Sequence, residues 1–175
     1  PTELKRAEDK FLYGITYNNR DWLKRDGKKQ NRWGDEPEIH MLNDFQPLME
    51  FLMTENFEKS IEYREKHKDG NQKFDNETKL EKIKKIWEKV ITHRKLIVCA
   101  GKIEVESKEG NTEKYNGNMM IVGERAIFHF IAEVVSAKDN SLIIIDEPEN
   151  HLHNSILERL WNEIESERQD CVYLY

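Results

Sequence analysis

The sequence predicts an α/β fold, with parallel strands in its C-terminal half and a helical subdomain in its N-terminal half. Three observations carry this. "SLIIID", Ser141 to Asp146, is a continuous apolar run of the kind found in parallel strands covered on both faces. "SILERLWNEIESER" after it has the 3.6-residue period of an amphipathic helix, and "CVYLY" is β-rich again. Strand, helix and strand at this spacing predict a right-handed βαβ crossover.

The N-terminal half reads as polar and mostly helical. "FQPLMEFLM" (Phe45 to Met53) is an apolar helical stretch. In "TKLEKIKKIWEKVITHRK", Leu80, Ile83, Ile86, Trp87, Val90 and Ile91 share one face. "KHKDGNQKFDNET" between them is a turn-rich charged linker. The basic cluster "LKRDGKKQNR", flanked by Trp22 and Trp33, reads first as a solvated loop, with a phosphate or DNA contact as the alternative.

From Leu96 the pattern changes, which sets expected domains of 1–95 and 96–175. "KLIVCAG" and "KIEVES" predict paired strands joined at Gly101. "GERAIFHFIAEVVSA" is apolar nearly all round, so it predicts a buried helix with His129 as a packed core residue. Ser155 and Glu158 have the spacing of a capping box at the start of the next helix.

The chain has 175 residues, of which 35% are charged and 37% hydrophobic, with a net charge of -6. That balance gives no global basic field for nucleic acid. Cys99 and Cys171, with no CxxC, point to neither a disulfide framework nor a thiolate zinc site, and a reducing cytoplasm fits such usage. No apolar run approaches the roughly 18 residues that span a bilayer. The opening at Pro1 and the end inside a β-rich run lead us to expect a piece of a longer polypeptide.

The chemistry concentrates at "DEPENHLH". An acidic residue at the C-terminal end of a parallel strand lies where open α/β sheets bind ligands. Asp146 there can hold magnesium through water, and Glu147, pointing elsewhere, can polarise an attacking water. Asp146, Glu147, His151 and His153 are also competent metal ligands, so a metal-dependent hydrolase is an alternative.

Taken together, "YNGNMMIVGERAIFHFIAEVVSA" and "LIIIDEPENHLHNSILERLWNEIE" resemble the C-terminal half of an ABC-type P-loop ATPase core. The narrower resemblance is to bacterial ATPases of the overcoming-lysogenization-defect and DNA-repair groups. "IE…R-x-D-C" is similar to ATPases of phage-defence systems, often paired with or fused to a Toprim-type nuclease. The resemblance spans about Leu96 to Tyr175, just under half the chain. It implies an enzyme hydrolysing ATP with Mg2+ in a head-to-tail homodimer, with DNA as a further partner class. Asp146 would position magnesium and Glu147 would be the catalytic base. Glu149, Asn150, His151 and His153 would occupy the D-loop at the dimer interface. "MIVGER" would occupy the signature motif, with Gly123, Glu124 and Arg125 contributing to nucleotide binding across the interface.

Two departures qualify these implications. Ile121 and Val122 stand where the family has a Ser followed by Gly or Asp, which removes a hydroxyl and crowds the backbone. A degenerate module acting as an assembly or sensor surface is therefore the second reading. The two Gly-Lys pairs, Gly27-Lys28 and Gly101-Lys102, lack both the preceding Gly and the following Ser or Thr of a phosphate-binding loop. The 175-residue chain alone is thus expected to be inactive. In the resembling proteins that loop lies upstream, and the histidine that follows their final strand would fall beyond Tyr175.

Overall fold

The computed structural model describes residues 2–13, 15–17, 23–25, 45–66, 77–99, 101–108, 114–149 and 152–175. Trp22, Trp33, the basic cluster beyond Arg25 and the linker before Glu77 lie outside these residues. The chain divides into two compact units, Pro1–Thr78 and Lys79–Tyr175.

The first unit contains helix α1 (Glu3–Tyr13), a short antiparallel hairpin of β1 (Ile15–Tyr17) and β2 (Leu23–Arg25), and helix α2 (Phe45–Lys66). The expected apolar stretch forms the start of α2, where Phe45, Leu48, Phe51 and Leu52 are buried. Pro47 sits in the first turn, where its missing N–H breaks no intrahelical bond. The helix continues to Lys66 past the apolar residues, through a charged tail that includes the Glu55–Lys59 ion pair at 2.7 Å. Glu58 of α2 accepts from the Leu4 backbone N–H at 3.3 Å, using a donor orphaned at the start of α1. The β1–β2 hairpin is an element that helical patterning did not predict.

The second unit opens with α3 (Lys79–Val90), followed by β3 (Arg94–Cys99), β4 (Lys102–Ser107) and β5 (Lys114–Asn116) in an antiparallel sheet of that order. Gly101 turns the β3–β4 hairpin at φ +73°, a conformation open to glycine. A 3₁₀ turn, Gly117–Met119, leads into α4 (Val122–Ser136). Strand β6 (Leu142–Ile144), helix α5 (Asn154–Glu167) and strand β7 (Val172–Leu174) follow, and β6 pairs with β7 in parallel. Among the described residues the architecture is mixed α/β with small sheets and one parallel pair.

The core of this unit lies where α3, α4, α5 and β3 meet. All six apolar residues predicted to share one face are buried, five on α3 and Ile91 just past its end, with Trp87 and Ile83 buried completely. Phe128 and Ile131 of α4 and Leu160 and Ile164 of α5 fill the centre. Each such side chain contributes about 1.5–3 kcal/mol on leaving water. Lys82–Glu167 at 3.1 Å and Lys89–Glu163 at 2.6 Å tie α3 to α5 at the rim. The expected boundary at residue 95 and the compact-unit boundary after Thr78 differ because α3, expected in the helical subdomain, buries its apolar face in the C-terminal core.

Two expectations need correcting. Among the described residues, β6 is not covered on both faces. Leu142 and Ile144 are 61% and 67% exposed, and Val172 and Leu174 beside them are 64% and 56% exposed. The register pairs Leu142 with Val172 and Ile144 with Leu174, so these four share one bare face. The other face is aromatic, with Tyr175 edge-on to Trp161 of α5 at 5.4 Å. Second, α5 is capped by His153 rather than by a Ser155–Glu158 box. The His153 ring Nδ1 accepts from the Ser155 N–H at 3.3 Å. The helix starts at Asn154, which makes Ser155 an early helical residue instead of the cap.

Candidate functional site

The ladder of β6 and β7 runs one step past β6, where the Ile145 N–H donates to the Leu174 carbonyl at 2.9 Å. Asp146 is the next residue and Glu147 follows, both exposed. Glu147 has φ +50°, a left-handed conformation that costs a branched or long L residue about 1–2 kcal/mol. Backbone strain of this kind clusters at sites where surrounding structure fixes a side chain's direction. Pro148, three residues past the last ladder bond, cannot donate to a ladder, so the chain does not return to strand there. The chain then turns through a Leu152 N–H to Glu149 carbonyl bond at 3.1 Å into the His153 cap.

His153 also lies 2.9 Å from the Ser155 hydroxyl through Nδ1. A ring nitrogen that accepts from the backbone leaves Nε2 to carry the proton of the neutral ring. His153 is therefore engaged as a helix cap. Among the described residues no group of three or more His, Cys, Asp or Glu is placed to hold a metal ion. Asn150 and His151 lie outside the described residues. Asp146 and Glu147 are adjacent exposed carboxylates at the end of the strand.

The start of α4 is built differently. Ile121 is the N-cap and has no acceptor in its side chain. Glu124 compensates, since its carboxylate accepts from the Ile121 N–H at 3.3 Å. Glu124 is 6% exposed. The Tyr115 hydroxyl of β5 lies 2.8 Å from both carboxylate oxygens, and Arg94 Nε of β3 lies 3.4 Å away. The Arg94 guanidinium also sits over the Tyr115 ring, 5.7 Å from its centroid. Burial first, and then Glu124, push the Tyr115 hydroxyl up to about 12.

Arg125 turns back on the preceding loop, donating from Nη2 to the Asn118 carbonyl at 2.7 Å and to the Met120 carbonyl at 3.4 Å. Gly117 seats the 3₁₀ turn on β4, where an added Cβ would lie 3.2 Å from the Ile103 carbonyl oxygen. Glu124 and Arg125 thus face inward and fasten the loop. Gly123 lies half-buried in the first turn of α4, and Met119, Ile121 and Val122 are left exposed at 71%, 69% and 57%. His129, further along α4, is buried as expected, with Nε2 3.6 Å from Glu133.

Arg168 organises the approach to β6 and β7. Its guanidinium Nη1 donates to the Val134 and Ala137 carbonyls at 2.9 and 3.0 Å, and Nη2 donates to Lys138 at 3.0 Å. The Val134 carbonyl also accepts from the Ala137 N–H at 3.2 Å and the Lys138 carbonyl from the Ser141 hydroxyl at 2.7 Å, so the guanidinium adds to these bonds at the C-terminus of α4, where a cation meets the favourable end of the helix dipole. Asp170 grips the same guanidinium at 2.8 and 2.9 Å and accepts from the Asn140 N–H at 2.9 Å. Asn140 stands at φ +58°, the left-handed residue that turns the chain toward β6. Arg168, then the Asn140 N–H, hold the Asp170 carboxyl well below the usual carboxylate range. The Tyr173 hydroxyl of β7 donates to the Arg168 carbonyl at 3.2 Å.

Arg94 and Tyr115 had no motif to reveal them, since they reach Glu124 through strand pairing rather than through spacing. Arg168 and Asp170 were visible as part of "R-x-D-C", whose structural meaning needed the C-terminus of α4 beside it. No protein-family model matches the chain, and no curated protein or solved structure matches it either.

Proposed function

We propose that this chain carries the acidic and signature-like half of an ABC-type ATPase site. The observation that carries the reading is the placement of Asp146 and Glu147 at the C-terminal end of β6, in a parallel β6–α5–β7 unit. Ligands of open α/β sheets bind at that end. A magnesium ion bound there would supply charge neutralisation for phosphate oxygens. Asp146 would hold it through water. Glu147, aimed by its left-handed backbone, would accept a proton from the attacking water. The start of α4 would face the nucleotide of a second, head-to-tail copy. The phosphate-binding loop, which these 175 residues lack, would come from a further segment.

The test is ATP turnover by the full natural polypeptide and its Glu147→Gln variant. Loss of about 10²-fold or more is expected in the variant, the contribution typical of a positioned base. Equal turnover in the two proteins would remove Glu147 from the chemistry. The isolated 175-residue chain is expected to show no turnover.

Ile121 and Val122 favour a second reading. Their apolar side chains are exposed, and in the resembling family a hydroxyl and a small residue take these positions. In that reading the unit is a degenerate ATPase half that serves assembly. Replacing them with Ser and Gly in the full polypeptide separates the two: turnover rises if the chemistry is intact but weakened. No rise in a well-folded protein leaves those positions without a role in limiting activity.

A further inference from the structure

The loop from Gly117 to Val122 is exposed at its tip yet fastened at three places below it. Gly117 sits against the Ile103 carbonyl, Arg125 holds the Asn118 and Met120 carbonyls, and Glu124 holds the Ile121 N–H. The third fastening depends on the antiparallel sheet, because Glu124 is itself held by Tyr115 of β5 and Arg94 of β3. A buried carboxylate stays in place only while charged and hydrogen-bonded partners satisfy it. Any movement of β3 against β5 is therefore delivered to the Ile121 N–H through one side chain.

We infer that Arg94 and Tyr115 are positioning residues, which act through Glu124 to hold the Gly117–Val122 loop in the shape in which it meets the nucleotide of a second copy. This rests on the ATPase reading above for the loop's task, and it adds a route by which the sheet controls that site. Neither residue touches substrate.

The test has two parts. In the full polypeptide, at a temperature well below its melting point, Arg94→Gln and Tyr115→Phe lower kcat about tenfold, the scale of a small misplacement at a reacting centre. KM for ATP stays within about twofold, because first binding of nucleotide does not involve the loop. Arg94→Lys, which keeps the charge, restores most of kcat. Wild-type kcat in both variants, while Glu147→Gln abolishes turnover, overturns the inference and leaves the ATPase reading standing. Turnover that survives Glu147→Gln overturns the reading and this inference with it.

The second part needs no turnover and uses the 175-residue chain. Hydrogen exchange at the Ile121 amide is expected to quicken at least tenfold in Tyr115→Phe, with α3 and the middle of α4 unchanged. Unchanged exchange at Ile121, or acceleration spread through α3 and α4, overturns the coupling.

Discussion

At the scale of single residues, the left-handed backbone at Asn140 and Glu147 and the Arg168 guanidinium govern the approach to the candidate site. Glu147 occupies left-handed space that glycine enters freely, so Glu147→Gly should raise stability by up to about 1 kcal/mol while Glu147→Ala should not. Thermal unfolding of the pair checks this, and equal melting temperatures would mean the turn stores no strain. Arg168 is 8% exposed and supplies several charge-assisted hydrogen bonds at once. Arg168→Met should cost about 2–3 kcal/mol in denaturant unfolding, because it takes charge-assisted donors from the Val134, Ala137 and Lys138 carbonyls at once. The depressed Asp170 carboxyl contributes stability that is present above the unfolded value of about 4 and lost as pH falls through its folded value. Asp170→Asn should flatten the acid limb of the stability profile. Tyr115 has the opposite sense: raised to about 12, it contributes stability below about pH 10 that is lost as pH climbs toward 12. Tyr115→Phe should remove that alkaline loss.

At the scale of elements, the parallel pair is one-sided. Lysine substitution at Leu142 or Val172 should change stability by no more than about 0.5 kcal/mol, whereas Ile131→Ala in α4 should cost about 2–5 kcal/mol. A large loss at Leu142 would show that its face is covered. The strand itself was legible, since four apolar residues in a row after a turn admit few other readings. Its bare face was not, because a run of Leu and Ile does not disclose whether both sides have partners. The amphipathic period of α3 named all five of its buried residues and Ile91 just after them, and the apolar girth of α4 announced its burial. Helix starts were less legible. Ser155 and Glu158 have capping-box spacing, yet His153 wins the cap because the ring nitrogen two residues before Ser155 reaches its N–H. Glu124 was visible as part of "VGER", but its inward direction depends on Tyr115 and Arg94 from strands whose register the sequence does not state.

At the scale of the whole molecule, two compact units meet in sequence between Thr78 and Lys79, and the site residues with described positions all belong to the second. Within that unit the helices and the antiparallel sheet fix the α4 loop, while the Arg168 clamp fixes the entry to β6. If Glu147 is the base of a nucleotide site, as proposed above, the state of nucleotide held by the full polypeptide carrying Glu147→Gln reveals it. After incubation with ATP and Mg2+ and removal of free nucleotide, the variant is expected to hold ATP uncleaved, while the wild-type protein carries ADP. ADP formed by the variant as fast as by the wild type, or no nucleotide on either protein, would contradict it.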